Sequence, residues 1–359
     1  LSVDTRSGMV PSRIGFLSYF LYVCSLFTFV SGPIQRYEDF SEQVSRLGEC
    51  TLSDDTVQRS VSRIVNGLLK VVFVSVLFLK LHETFSMISL DTPRTGIGMV
   101  AYWGSAIAYA LYMYSNFSGY MDVVIGLGVL FGFSLPENFN HPFDSANFLE
   151  LWSRWHITLS RWFQIYVFNP AQLALHRRWP NKRLVPYFGV AGFFLTFLLM
   201  GLWHGSTLQF LLYGIMLGAG TSANRLYQVI MQQSLGKKGY AALKESSVYT
   251  AVCMGMTFSY FALALTFVWA DTATLAALAN RHGIATWLLS GAYASIVCGL
   301  ILTFWKCARE AIGTRARLFE ALTQSYAVRQ GVLSVKVALL IAVCVVGLER
   351  SVEFVYQAF

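Results

Sequence analysis

Long apolar runs dominate this chain, and most polar residues lie in the short stretches between them. A helix that crosses a bilayer needs about 20 predominantly apolar residues. Runs of about this length cover 14–31, 61–80, 97–115, 118–134, 186–204, 205–226, 248–270, 284–305 and 334–350. The pattern therefore predicts an all-α protein with many membrane spans. The most polar connection, 33–60, is expected to form interfacial helices.

The segment 148–170 departs from this pattern. It is rich in aromatic residues but also carries Glu150, Arg154, His156 and Arg161. Polar groups at membrane depth must be buried in protein or line a wet cavity. The segment is therefore interpreted either as re-entrant or as a span surrounded by other helices. If it is helical, Trp152, Trp155, His156 and Leu159 share one face, and Arg154 and Arg161 share another.

Composition supports the membrane class. Hydrophobic residues make up 55% of the 359 and charged residues only 13%, and the mean hydropathy is +0.52. A soluble domain carries about a quarter charged residues. Basic residues cluster in four connections, at 36–63, 176–183, 225–244 and 306–317. The last three are predicted to lie on the cytoplasmic side, which the first shares only if 148–170 crosses the membrane, and the clusters do not indicate nucleic-acid binding. The six cysteines show no metal-binding or disulfide pattern.

Two histidines are candidates for chemistry. His204 lies at the junction of two apolar runs, and His156 lies in the polar segment. A buried neutral imidazole suits a general base, but a core histidine bonded to a carbonyl is an equally good interpretation of His204. Ser206 is adjacent to His204, which does not make it a nucleophile. No ligand spacing supports a zinc site from His141, His156 and His204, so no metal is expected. His82, His176 and His282 are interpreted as interfacial.

Short motifs in a fixed order make the chain similar to the membrane-bound O-acyltransferase family. They are Ser-Gly-Pro-Ile-Gln-Arg-Tyr at 31–37, Asn-Phe-Ser-Gly-Tyr at 116–120, Pro-Glu-Asn-Phe-Asn-His-Pro-Phe at 136–143, Trp-Ser-Arg-Trp-His at 152–156 and Gly-Leu-Trp-His-Gly at 201–205. The combination, and not any single motif, carries the resemblance. It is strongest to bacterial enzymes that acetylate alginate and other exopolysaccharides or transfer D-alanine to teichoic acids.

The resemblance implies a ring of transmembrane helices around a thin, funnel-shaped core with a tunnel. It implies one membrane-embedded domain over 1–359, expected to lack upstream helices of the family. The hallmark histidine of the family corresponds to His204, expected as general base, and its partner corresponds to His156. Residues expected to line the substrate tunnel are Trp155, Trp203, Asn140 and Arg154.

The implied activity is transfer of an acyl group, most simply acetyl, from a cytoplasmic thioester such as acetyl-CoA. The acceptor is an extracellular or periplasmic polysaccharide or an acyl-accepting helper protein. The protein is expected in the bacterial inner membrane, in contact with lipids and without a tightly bound cofactor. D-alanyl transfer from a carrier protein is the alternative. The chain departs from the acetylating enzymes at Gln164 and Ile165, where they commonly have an Arg-Asp pair, which leaves the donor contacts and the substrate open. A transporter that uses His156 and His204 as a proton relay is the alternative from another class.

Overall fold

The structure is a computed structural model that describes residues 14–29, 31–49, 51–92, 96–281, 283–322 and 326–347. Over these ranges the chain forms α-helices, and only Phe139 and Trp155 pair in a strand-like manner. The helices are α1 (Phe16–Val23), α2 (Tyr37–Arg46), α3 (Asp54–Leu69), α4 (Val76–Asp91), α5 (Gly96–Leu130), α6 (Phe148–Arg154), α7 (Ile157–Phe163), α8 (Asn169–Arg178), α9 (Val185–His204), α10 (Leu208–Glu245), α11 (Ser247–Trp269), α12 (Thr272–Arg281), α13 (Ile284–Leu322) and α14 (Tyr326–Gly347). Two π-helical turns, Lys70–Ser75 and Gln164–Phe168, continue α3 into α4 and α7 into α8.

Among the described residues, five helical stretches are long and apolar enough to cross a membrane. They are Asp54–Asp91, Val185–His204, Ser247–Trp269, Ile284–Gly313 and Val328–Val345. The prediction of an all-α polytopic membrane protein is therefore confirmed. The predicted interfacial helices of 33–60 correspond to α2 and the start of α3.

Two predicted boundaries are wrong. The runs 97–115 and 118–134 form one helix, α5. The polar residues between them, Ser115, Asn116 and Ser118, are buried in the protein, so no loop is needed to expose them to water. The run 14–31 does not form one span, since α1 ends at Val23 and turns follow it.

The described residues divide into two compact units. The first contains those within 1–75, 114–138 and 326–358, and the second those within 76–113 and 139–325. The expectation of a single domain over the chain stays a prediction.

In the first unit, α3 and α5 cross at two glycines. A Cβ at Gly67 would lie 2.5 Å from the Gly119 carbonyl oxygen, so only glycine permits this approach. One helical turn from Gly119, Asp122 accepts hydrogen bonds from Arg63 at 3.0 Å and from Lys70 at 2.6 Å. The polar groups of this membrane-embedded crossing are therefore paired with each other, as apolar surroundings require.

In the second unit, α9 and α10 form an antiparallel hairpin. Gly201 faces Gly214 near its closed end, and Ser222 Oγ donates to the Val190 carbonyl at 2.8 Å further along. Gly236, with φ of 68°, interrupts α10 beyond this contact. The basic segments 176–183 and 237–238 therefore lie at the open end of the hairpin. His204 lies at the closed end of the hairpin. It is about 30 Å from Val185 at the open end, the length of the 20-residue helix α9.

The glycine contact of this hairpin can be tested by adding a methyl group. A Cβ at Gly201 would lie 2.3 Å from the Gly214 Cα, so the two backbones must separate. We expect Gly201→Ala to lower the free energy of unfolding by about 1–3 kcal/mol. The measurement is the thermal unfolding midpoint of the purified protein in detergent.

The matched control is Gly331→Ala in α14, where no atom lies within 4 Å of the added Cβ. Alanine is the better helix former, so this midpoint should stay constant or rise. Equal losses for both variants would contradict the assigned contact.

Candidate active site

The segment 148–163 is broken at its centre. Helix α6 ends at Arg154, Trp155 is extended, and His156 has the left-handed conformation with φ of 44° and ψ of 54°. Helix α7 begins directly afterwards. The predicted single face with Trp152, Trp155, His156 and Leu159 is therefore wrong, as is the shared face of Arg154 and Arg161.

The break is held by a loop and by aromatic packing. Phe139 pairs with Trp155, and the Asn140 backbone N–H donates to the Arg154 carbonyl at 2.9 Å. The Trp155 ring packs edge-on against Phe139 at 5.2 Å and Phe261 at 4.9 Å between centroids. Backbone groups freed by the interruption thus find partners inside the protein, as they must at membrane depth.

Three of the predicted tunnel residues meet at this break. Asn140 and Arg154 bond through their backbones, and the Arg154 guanidinium also donates to Glu150 at 2.9 Å. Trp155 is 5% exposed. These contacts support the broken helix, while a role of the three residues in a tunnel stays a prediction.

His156 is buried at the start of α7. Its exposed fraction is 8%, and its carbonyl accepts the Ser160 N–H at 3.0 Å. A left-handed backbone is unfavourable for residues with a Cβ and is concentrated at functional positions.

His204 ends α9 among aromatic rings. Its ring centroid lies 4.9 Å from that of Trp203, 5.7 Å from that of Tyr213 and 6.1 Å from that of Phe210. Tyr213 is 5% exposed. Sequence analysis missed Tyr213 because nothing local distinguishes it, and only the tight hairpin brings α10 back to His204.

The two histidines approach each other because the segment 148–178 runs antiparallel to α9. Gln172 Nε2 donates to the Phe188 carbonyl at 2.7 Å, and the rings of Phe168 and Phe193 stack at 4.4 Å. Continuing this register brings residue 156 beside residue 204.

A cavity of about 290 Å³ lies alongside this pair, between the α6–α8 segment and α9. One wall carries the polar side chains of Ser153, Ser160, Arg161 and Gln164. The opposite wall is formed by Phe193, Thr196, Phe197 and Met200 of α9. None of the six predicted site residues lines the cavity itself. Its polar wall was missed because the helix break changes which side chains face α9.

The remaining histidines differ from each other in burial and contacts. His82 is buried, with its ring 4.7 Å from that of Trp269 and its Nδ1 bonded to Ser105, while its position at the membrane interface stays a prediction. His176 is exposed, and His282 lies outside the described residues. His141 fixes a tight loop with φ of 46° and contacts Arg309 at 3.1 Å. No cluster that could hold a metal ion occurs among the described residues.

The left-handed backbone of His156 can be tested by protein stability, without an activity measurement. Glycine adopts the left-handed conformation freely, whereas a β-branched residue does not. We expect His156→Val to be about 1–2 kcal/mol less stable than His156→Gly, although valine fills more space. The measurement is the thermal unfolding midpoint in detergent.

The same pair of substitutions at His176, in the regular helix α8, is the control. There valine should be the more stable variant, because glycine is the poorer helix former. If valine were also the more stable residue at position 156, the left-handed assignment would be wrong.

Comparison with known proteins agrees with the motifs. The membrane-bound O-acyltransferase family model matches residues 6–265. A probable alginate O-acetylase of Pseudomonas aeruginosa is 31% identical over 212 residues, which are 59% of this chain and 38% of that protein. A teichoic acid D-alanyltransferase of Bacillus subtilis is 28% identical over 218 residues, 60% of this chain and 53% of that protein.

A peptidoglycan O-acetyltransferase of Helicobacter pylori is 31% identical over 212 residues, 59% of this chain and 38% of that protein. This chain thus spans between 38% and 53% of the length of these relatives. The family match extends over more than two thirds of the chain and contains both histidines and the cavity. The chain belongs to the membrane-bound O-acyltransferase family.

Proposed function

We propose that this protein transfers an acyl group from a thioester to a hydroxyl group of a cell-envelope polymer. The observation that carries the proposal is the antiparallel register of 148–178 and α9, which brings His156 and His204 side by side next to a cavity in the membrane-embedded second unit. Family membership and the names of the relatives support the reaction class.

In the proposed reaction, His204 is the general base. Its neutral imidazole accepts the proton of the acceptor hydroxyl while the oxygen attacks the thioester carbonyl carbon. The tetrahedral intermediate collapses, the carbon–sulfur bond breaks, and the departing thiolate takes up the proton from His204. The products are an ester and a free thiol, and general-base help of this kind contributes about 10²–10⁴-fold to the rate.

His156 is the proposed partner of His204. Its left-handed backbone and buried ring hold the imidazole in one place, which suits orientation of the acceptor or polarisation of the carbonyl. Trp155, which is buried beside His156, would exclude water from the reacting groups. Trp203 contacts the His204 ring but is 53% exposed, so it would shape the outer side of the site.

The proposed direction of transfer follows from charge. The basic segments 176–183 and 237–238 lie at the open end of the α9–α10 hairpin, and the positive-inside rule assigns that end to the cytoplasm. The cavity lies between this end and the histidines. An anionic donor would therefore enter from the cytoplasm, and the acceptor would meet it from the outer face of the inner membrane.

The proposed acyl group is acetyl, from acetyl-CoA, with no tightly bound cofactor. Two of the three relatives described above are named as O-acetyl-transferring proteins. D-alanyl transfer from a carrier protein is the alternative, which the Bacillus subtilis relative supports. The acceptor would be a polysaccharide, reached directly or through an extracellular helper protein.

The site assignment can be tested with purified protein in nanodiscs. We expect His204→Ala to reduce transfer of labelled acetyl or D-alanyl groups at least about 100-fold, because the general base is lost. His156→Asn removes the imidazole with a residue that tolerates the left-handed backbone, and it should also reduce turnover strongly. The measurement is the initial rate of product formation at matched protein concentration.

His176→Ala is the matched control, since it removes an exposed histidine outside the site. It should keep wild-type turnover. Wild-type rates in both His204→Ala and His156→Asn would refute the assignment.

A further inference from the structure

The loop 139–144 holds the helix break that precedes His156. The Asn140 backbone N–H donates to the Arg154 carbonyl at 2.9 Å, and the residue before Asn140 pairs with Trp155. Both contacts lie within two residues of His156 along the chain. The backbone position of His156 therefore depends on where this loop lies.

The loop is itself in a strained conformation. His141 has φ of 46° and His156 has φ of 44°, and no other non-glycine residue in the described part of the chain has a positive φ. A left-handed backbone persists in residues with a Cβ only where surrounding contacts hold it. The loop therefore needs contacts from other elements.

Arg309 of α13 supplies the polar contacts. Its Nη1 donates to His141 Nδ1 at 3.1 Å, and its Nη2 donates to the Asp144 carboxylate. The Asp144 side chain is only 12% exposed, so the ion pair is partly shielded from water. The planar guanidinium bonds both acceptors at once, which the ammonium group of a lysine does not reproduce. Arg309 thus holds the residues on either side of Pro142 and Phe143.

The position of α13 is fixed by α11. A Cβ at Gly255 of α11 would lie 1.8 Å from the Ser295 carbonyl oxygen of α13, so the two backbones are in direct contact. Helix α11 also carries Phe258, whose ring lies 4.7 Å from that of Phe143 between centroids. The loop is therefore held by an apolar contact with α11 and by Arg309 from α13.

These two contacts fix different properties of the loop. The packing of Phe143 keeps the loop against α11, but a ring contact has little directional preference compared with hydrogen bonds. The two bonds from Arg309 are directional and charge-assisted, so they fix the orientation of the turn. Arg309 lies beyond residues 6–265, which the family model matches, so the family comparison assigns it no role.

We propose that Arg309 is a positioning residue, which orients the His156 imidazole by holding the loop 139–144. The guanidinium fixes the turn of the loop, and the turn places Asn140 against the broken helix. The backbone before His156 is thereby held in one orientation. The inference rests on the proposed function, in which His156 is the partner of His204.

The kinetic test uses purified protein in nanodiscs and the acyl donor that the wild type turns over. Arg309→Gln should lower kcat about tenfold and leave KM for the donor within about twofold, because small displacements of a catalytic group slow the chemical step. Arg309→Lys keeps the charge beside Asp144 and should recover part of the loss. A rise of KM at constant kcat would overturn the proposal, as would no change in either.

A second substitution tests whether Arg309 acts through the loop. Asp144→Asn should lower kcat, and the double variant Asp144→Asn/Arg309→Gln should be within about twofold of Arg309→Gln alone. Residues that act through one shared contact are not additive. Losses that multiply in the double variant would show independent effects and would contradict the proposed path.

Arg329→Gln is the matched control. Arg329 of α14 also bonds an aspartate of another helix, Asp55 of α3, at 2.5 Å, but both residues lie in the first unit. The variant should keep wild-type kcat. A loss equal to that of Arg309→Gln would mean that breaking any ion pair between helices suffices, and would overturn the specific role of Arg309.

A spectroscopic measurement separates this proposal from the proposed function. The protein is labelled with fluorotryptophan, and the ¹⁹F resonances of Trp155 and Trp179 are assigned by Trp155→Phe and Trp179→Phe. Arg309→Gln should shift or broaden the Trp155 resonance and leave that of Trp179, at the end of α8, unchanged. This result supports the positioning role even if the wild type transfers no acyl group. An unchanged Trp155 resonance, or equal changes in both, overturns it.

Discussion

An interrupted helix inside a membrane must find partners for the backbone groups that the interruption frees, and the site depends on how this chain meets that requirement. The strand-like contact of Phe139 and Asn140 with Arg154 and Trp155 supplies the partners. Aromatic packing around Trp155 then fixes the break in place. Because the break is fixed, His156 can keep a left-handed backbone that an isolated helix would not adopt.

Close helix contacts provide the second part of the arrangement. Gly192 allows Phe168 and Gln172 to lie directly against α9, and Gly201 allows α10 to return along it. Lipid tails are as apolar as the side chains of the helices, so the hydrophobic effect does not drive helices together in a membrane. Helix association there relies on close packing of this kind. The two contacts hold α9 between the broken segment and α10, with its terminal histidine at the break.

The membrane-embedded cations are paired with carboxylates to different extents in the two units. In the first unit, Arg63 and Lys70 are both bonded to Asp122 and Arg63 is also paired with Glu137, so two cations and two carboxylates compensate within the protein. In the second unit, residues 151–244 contain no aspartate or glutamate, and Arg161 beside the cavity forms no hydrogen bond or ion pair with any described residue. Internal compensation stabilises a helix crossing, whereas an uncompensated cation is suited to an external anion.

Composition and apolar runs by themselves determined the all-α membrane class, because lipid admits few backbone solutions. The ordered motifs indicated the family and pointed to His156 and His204. The sequence did not indicate the break at His156, since 148–163 has helical periodicity and contains neither proline nor glycine. The sequence also did not indicate that Ser115 and His82 are buried, because polar residues beside apolar runs resemble the ends of membrane spans. These features, and the cavity, were decided by contacts between segments distant in sequence, which only the tertiary structure contains.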